Sequence, residues 1–268
     1  MAAELALSVL KVGGSVLRRQ DDYQAVADYL CARRRKEPGR HLLVVVSAQH
    51  GHTDRLLREA SRHQSRPDAD ALDLLWSTGE LRSVALLTLA LRSRRQDVGG
   101  LNVHQCGLHL EGTHDPGRPA GLPQEAAVPR VRLRRLPLLR WLRRHPLLVV
   151  PGFLAVAPGQ GLRTLGRGGS DWTALLLAAS LKADTCELIK DVPGYFEADP
   201  KRYPEARRLP ELTFDQALEM ASRGCDLVQP QALETARRFG LDLCVRSLDE
   251  GGACTFIRRI RNRKDLAS

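Results

Sequence analysis

The feature that most constrains this fold is a set of short apolar runs alternating with longer stretches of helical period. Leu5–Val12 and Leu42–Ser47 read as buried strands, and Leu147–Val150, Thr185–Ile189 and Leu241–Val245 as further strands. Between them, Asp21–Arg35, Leu72–Arg92, Asp171–Lys182 and Thr213–Arg223 carry Leu and Ala at helical spacing. Strands alternating with helices argue for an α/β fold around a mostly parallel sheet. In such sheets ligands sit at the loops that follow the C-terminal ends of the strands.

At 268 residues the chain is long enough for a substantial core, as one large domain or two closely joined ones. Its 41 basic and 31 acidic residues leave a net charge of +10, a surface attractive to phosphorylated ligands or nucleic acid. The arginines are scattered, however, and the few aromatics do not interleave with them, so an Arg-rich solvated face is favoured over a nucleic-acid partner. The six cysteines form no CxxC pair, which argues against a zinc site or a disulfide framework and for reduced core thiols. The N-terminus does not read as a signal peptide, and no long uncharged apolar run marks a spanning helix; no membrane is expected and the cytoplasm is the natural address.

Two stretches depart from the alternation. From Glu111 to Pro129 glycine and proline are dense and periodicity is weak, the mark of a long loop or hairpin, serving as a substrate lid or as a plain surface excursion. The following RVRLRRLPLLRWLRRH is Arg-rich with Leu interleaved; an ordinary amphipathic helix, interrupted at Pro137, is favoured over a membrane-surface helix.

Three segments carry the chemistry. Lys11-Val12-Gly13-Gly14-Ser15 follows the first strand; adjacent glycines let backbone N–H groups approach phosphate oxygens, and Lys11 brings charge to the same place. The GxxxxGK[ST] spacing of a Walker A loop is absent, and a tight turn is the plainer alternative. Leu165-Gly166-Arg167-Gly168-Gly169-Ser170-Asp171 opens the helix Trp172–Lys182, with Ser170 or Asp171 as its N-cap. Capping explains one polar residue, not three glycines with Arg167 and Asp171, so a second phosphate or carboxylate cradle is the better reading. The third, Ile189-Lys190-Asp191-Val192-Pro193-Gly194-Tyr195-Phe196-Glu197-Ala198-Asp199-Pro200-Lys201, joins a Pro-Gly turn, an aromatic pair and charges of both signs. It suits a nucleobase on an aromatic ring with Lys201 near phosphates, or a turn-rich connection.

Together these segments resemble the amino-acid kinase family, and within it the catalytic domain of the aspartokinases. KVGGS resembles the family's lysine–glycine phosphate loop; VVVSAQHGHTDRLL, STGELRSVALL, PGFLA, TLGRGGSDWTALLLAASLKA and DVPGYFEADPKR follow in the family's order from Val9 to Ile257. TLGRGGSD is the most specific piece. The resemblance implies a three-layer αβα sandwich with a central mainly parallel sheet, forming a single kinase domain over 1–268. Its acceptor-binding part would cover about 1–165 and its ATP-binding part 166–268. It further implies ATP with Mg2+, a small-molecule carboxylate or amino-acid substrate, a place in amino-acid biosynthesis, and a homodimer or higher homo-oligomer.

By the same resemblance, Lys11 and Asp171 are the catalytic pair. Lys11, Gly13, Gly14, Ser15, Gly168, Gly169, Lys190, Asp191, Phe196, Asp199 and Lys201 are expected on ATP. Ser47, Thr53, Glu80, Arg167 and Ser170 are expected on the acceptor. Arg167 suits a bidentate grip on an α-carboxylate and Glu80 an ammonium. Transfer of this kind needs positioning and charge neutralisation and no enzyme nucleophile. Where the family reads GAKVLHP, this chain reads Gly224-Cys225-Asp226-Leu227-Val228-Gln229-Pro230, exchanging a phosphate-reaching lysine for Asp226 and a histidine for Gln229. An anion in place of a cation about 4 Å from phosphate costs several kcal/mol at an effective dielectric of about 20. Lys190 stands where the family usually carries Thr; it is expected either to supply the missing charge or to point to solvent, with Asp226 then merely capping a turn. The regulatory domains that follow the family's kinase domain are not expected here. Three functions remain in play: a kinase of aspartate or another small carboxylate, a same-fold kinase of a phosphate acceptor, and a non-catalytic nucleotide-binding or storage protein.

Overall fold

A computed structural model describes residues 5–111, 130–157, 159, 161–166, 168–225, 227–248 and 252–259. In chain order the elements are β1 (Leu7–Val12), α1 (Asp22–Lys36), β2 (His41–Val46), α2 (His52–His63), α3 (Ala69–Ser93), β3 (Val98–Gly100), α4 (Val103–Cys106), β4 (Leu108–Glu111), β5 (Arg130–Leu133) and α5 (Arg135–Arg144). The second half continues with β6 (Leu147–Pro151), β7 (Leu154–Ala157), β8 (Gly161–Thr164), α6 (Gly169–Leu181), β9 (Thr185–Ile189), β10 (Glu211–Thr213), α7 (Phe214–Ser222), α8 (Pro230–Phe239), β11 (Leu243–Arg246) and β12 (Cys254–Arg258).

The expected α/β architecture is borne out. Eight strands form one sheet in the order β10-β12-β11-β9-β1-β2-β6-β3, parallel throughout except where β11 meets β12. Strand alternation divides its apolar side chains between two cores. Leu7 and Val9 of β1, Leu43 and Val45 of β2, and Cys186 and Leu188 of β9 enter the core that includes α5, α6 and α8. Leu10 and Val12, Val44 and Val46, and Ile189 enter the opposite core, with α1 and α3. Each fully buried Leu or Val on these faces contributes about 1.5–3 kcal/mol by leaving water. The central strands are therefore held from both sides, and their C-terminal ends are fixed relative to one another.

Four differences from the sequence expectations have physical causes. A second sheet, β5-β4-β7-β8, was not anticipated, because its strands are only four residues each. The Arg-rich stretch after residue 129 is not one helix. Its first residues form β5, whose Val131 and Leu133 alternate with arginines and pack on the core, and α5 begins only at Arg135. Pro137 then falls in the first helical turn, where its missing N–H has no intrahelical carbonyl to lose. α3 is long and apolar enough, by length and composition, to cross a membrane, although charges within it had argued otherwise; 56 % of the window concerned is buried in the fold, as in a core helix. α6 starts at Gly169, so neither Ser170 nor Asp171 is its N-cap; Gly168 is. The stretch 112–129, read as a loop or lid, lies outside the described residues.

Candidate active site

Four adjacent strands, β9, β1, β2 and β6, run parallel and end on one edge of the main sheet. Lys11 lies near the end of β1 with the same parity as Leu7 and Val9, so it faces α6. Lys190 follows β9 with the parity of Cys186 and Leu188, so it faces the same way. α6 is buried along almost its whole length against β1, β2 and β9 on one side and α8 on another. Its N-cap, Gly168, has φ +74°, a left-handed conformation that glycine adopts without strain, and a Cβ there would lie 2.8 Å from the Gln229 side chain. No side chain caps the helix, and Asp171 stands in its first turn, where the helix dipole favours an anion.

Asp171 binds one lysine on each oxygen, Lys11 Nζ at 2.7 Å from Oδ1 and Lys190 Nζ at 2.9 Å from Oδ2. Lys11 and Asp171 are buried, and the Lys190 side chain is 11 % exposed. Burial pushes the Lys11 ammonium down to about 8 in spite of Asp171, and the neighbouring Lys190 pushes the same way. Burial alone would raise the Asp171 carboxyl, but the two lysines hold it down at about 2. The cluster is thus one carboxylate with two ammonium groups at the mouth of a helix N-terminus.

A cavity of about 1160 Å³ opens beside this cluster, and Lys11, Ser47, Thr53, Glu80, Gly168, Gly169, Ser170 and Asp171 all line it. Glu80 lies on the buried face of α3, with Trp76, Ser77 and Ser83, and is itself 3 % exposed. Its Oε1 accepts from the Ala48 N–H at 3.1 Å, while Oε2 has no hydrogen-bond partner. Burial pushes this carboxyl up to about 7, against the pull of the Ala48 N–H and of Lys11. Ser47 is tethered by its N–H to the Val12 carbonyl at 3.1 Å, which keeps the ends of β1 and β2 level. Thr53 on α2 is held by its carbonyl, which accepts from Trp76 Nε1 at 3.2 Å. A polar wall with one unsatisfied carboxylate oxygen and one buried ammonium suits a small zwitterion.

The residues expected on the nucleotide side are arranged differently. The Gly13 N–H is taken by the Ile189 carbonyl at 3.2 Å, and Gly14 packs so close to the Ala48 carbonyl that a Cβ would lie 2.9 Å from it. Asp191 receives Arg18 at 2.9 Å and Lys201 at 3.2 Å, and the Ser15 hydroxyl also donates to it. Partial burial pushes Asp191 up, but the hydrogen bond and charge of Lys201 outweigh it and hold the carboxyl low. Asp199 is exposed and caps its own turn by accepting from the Lys201 N–H at 3.0 Å; Phe196 is half-buried and bridges to Arg208. None of Asp191, Phe196, Asp199 and Lys201 lines the cavity. Arg167 and Asp226 lie outside the described residues.

The cavity also has walls that sequence reasoning did not assign. Trp76 and Phe153 meet edge-to-face with centroids 6.3 Å apart, and Gln229 covers Gly168. Trp76 stands one helical turn before Glu80, a signal that spacing offered. Phe153 adopts φ +66°, which nothing in its residue type announces. Among the described residues no three His, Cys, Asp or Glu side chains gather to hold a metal.

Cations gathered where parallel strands end against a helix N-terminus form an arrangement suited to phosphate groups in α/β proteins. The chain belongs to the amino acid kinase family, whose sequence pattern matches residues 6–247. It is similar to the aspartokinase of Thermus thermophilus, 36 % identical over 263 residues that cover 98 % of this chain and 62 % of that protein. Aspartokinase 2 of Bacillus subtilis is 34 % identical over 253 residues, 94 % of this chain and 59 % of its own length. The crystal structure of aspartate kinase from Synechocystis is 36 % identical with a TM-score of 0.79, covering 96 % of this chain and 41 % of that one. The chain therefore spans about three-fifths of the length of these aspartokinases.

Proposed function

We propose that this chain binds ATP and transfers the γ-phosphoryl group to a carboxylate of a small amino acid, aspartate being the first candidate. The observation that carries the reading is the union, in one cavity, of the Lys11–Asp171 pair and the half-unsatisfied Glu80 carboxylate. The names of the relatives support aspartate in particular. In the reaction a carboxylate oxygen of the acceptor forms a bond to the γ-phosphorus, the bond to the β–γ bridging oxygen breaks, and its electron pair leaves with ADP. The product is an acyl phosphate, and no protein nucleophile takes part.

Each residue then has a definite task. Lys11 opposes the charge that spreads over the transferring phosphoryl oxygens, an interaction strongest in the transition state. Asp171 keeps that ammonium protonated and aimed. Glu80, when ionised, receives the acceptor's ammonium, with Ser47, Thr53 and Ser170 around it and Arg167 on its α-carboxylate. Gly168 and Gly169 bring the first amides of α6 toward the phosphates, and Gly14 and Ser15 do so from the opposite loop. Asp191, Phe196, Asp199 and Lys201 form the nucleotide side. Magnesium, which the family implies, binds through few protein carboxylates and many phosphate and water oxygens. Asp191, partly exposed and paired with Arg18 and Lys201, would be a carboxylate available to such a metal on the nucleotide side. Residues 1–165 constitute the acceptor half and 166–268 the nucleotide half, and the working form is a homo-oligomer.

The test is an acceptor screen, in which ADP release from ATP is followed with aspartate, other amino acids, simple carboxylates and nucleoside monophosphates. ADP release dependent on an α-amino dicarboxylate supports the reading. Release dependent only on a phosphate acceptor would replace it.

A further inference from the structure

One lysine suffices to balance Asp171, yet the structure places two on it. Lys11 and Lys190 occupy its two oxygens at 2.7 and 2.9 Å, and their side chains are only 8 % and 11 % exposed. Burying an ammonium is costly unless it is paired, and here one carboxylate faces two of them. The remaining acid near Lys11, Glu80, is engaged with the Ala48 N–H. The cluster therefore keeps an excess of positive charge in a place largely closed to water, an arrangement that an arriving anion completes.

The register explains why the second charge sits there. Val12 pairs with Ile189, so Lys190 emerges one residue beyond the end of the β1–β9 ladder, on the face that Lys11 shares. We infer that Lys190 is a second catalytic lysine, whose ammonium contacts the γ-phosphoryl oxygens of bound ATP while Asp171 spaces it from Lys11. The inference rests on the kinase reading. As the carboxylate oxygen bonds to the γ-phosphorus and the electron pair of the broken bond departs on ADP, two ammonium groups meet the charge on the phosphoryl oxygens.

The experiment compares the chain with Lys190→Met, Lys190→Thr and Lys190→Arg. Calorimetric titration with ATP, ADP and adenosine reads the lysine without any acceptor. Removal of its charge is expected to weaken ATP about tenfold more than ADP and to leave adenosine unchanged, with Lys190→Arg restoring most of the ATP preference. In turnover, kcat is expected to fall about a hundredfold in Lys190→Met. A third readout is the alkaline limb of kcat/KM. The groups facing Lys11 are Asp171 from α6, Lys190 from the loop after β9, and Glu80 from α3. Without the repulsion of Lys190, Lys11 holds its proton to higher pH and that limb moves upward.

A Lys190 that merely props up Asp171 would lower stability, and would move the alkaline limb by its proximity to Lys11, but would leave the ATP-to-ADP ratio and, within threefold, kcat as they were; that result overturns the inference. Should Lys190→Met and Lys190→Thr not fold, Lys190→Gln decides. There the ATP-to-ADP ratio of Lys190→Gln, which keeps a donor for Asp171 without the charge, is the readout: a weakened preference for ATP supports contact with the phosphoryl group and an unchanged preference contradicts it. Failure of every acceptor to release ADP would count against the kinase reading, while the ATP-to-ADP titration would still test Lys190.

Discussion

The two sides of the site use charge in opposite ways. Beside the cavity, Lys11, Asp171 and Glu80 are withdrawn from water, their proton affinities displaced by burial and by neighbouring charges, and Lys190 pairs with Asp171 from the next loop. On the loop from Asp191 to Lys201 the charges are largely exposed, and Arg18, Asp191 and Lys201 pair across the surface. Coulombic interactions at about 4 Å are several times stronger near a protein's interior than in bulk water. Loss of a charge in the buried cluster should therefore alter chemistry and stability together. Loss of one on the loop should alter nucleotide affinity modestly.

The largest effect is expected from Asp171→Asn. It leaves two buried ammonium groups without their counter-charge, the kind of change that costs about 3–5 kcal/mol. Denaturant unfolding should show this loss, together with collapse of turnover; a stability change under about 1 kcal/mol would mean that the cluster is better solvated than its geometry indicates. Next comes Lys11→Ala, which should lower kcat about a hundredfold or more while the fold persists, because its charge acts chiefly in the transition state. An undiminished kcat with the true acceptor would remove Lys11 from its role.

Glu80 sharpens the contrast through pH. Only its ionised form attracts the acceptor's ammonium, so kcat/KM for the acceptor should rise as pH passes through about 7, and fall as Lys11 loses its proton through about 8. Glu80→Gln should abolish the rising limb and raise acceptor KM about tenfold or more. Its effect on stability has the opposite sign. A carboxyl whose proton affinity is raised by folding stabilises the folded chain fully below its unfolded value near 4.5, and that contribution is lost as pH rises through about 7. Relative to the parent, Glu80→Gln should therefore gain stability above pH 7, on the order of 3 kcal/mol, visible as a Tm advantage over the parent that is larger at pH 8 than at pH 5. The smallest effect belongs to Lys201→Ala. Its exposed pairing with Asp191 is worth less than about 1 kcal/mol, so ATP affinity should fall only a few-fold and less at high salt. A loss of a hundredfold would erase the distinction between the two regions.

Much of the cavity was legible in the sequence, for identifiable reasons. Strand parity alone puts Lys11 with Val9, and the glycines before Asp171 announce a helix entrance meant for an anion. The contact of Lys190 with Asp171 was not legible, because it depends on β9 lying next to β1, a neighbour relation that local pattern does not encode. Glu80 shows its inner face by helical spacing, but its bond to the Ala48 N–H joins segments that only the fold brings together. The second sheet escaped notice because its strands are short and β4 pairs with β7 across α5 and β6. The misplaced start of α6 has a local cause. Ser170 and Asp171 are both good capping residues by type, and only the left-handed Gly168 moves the entrance forward.

The most direct test of the account is a single-turnover transfer of label from γ-32P-ATP to aspartate, with hydroxylamine added to trap an acyl phosphate. The parent chain should yield labelled acyl phosphate that hydroxylamine converts to hydroxamate and inorganic phosphate, and Lys11→Ala should yield about a hundredth as much in the same time. ATP bound without transfer to aspartate or any other carboxylate, in a chain whose Lys11–Asp171 pair is intact, would contradict the central claim.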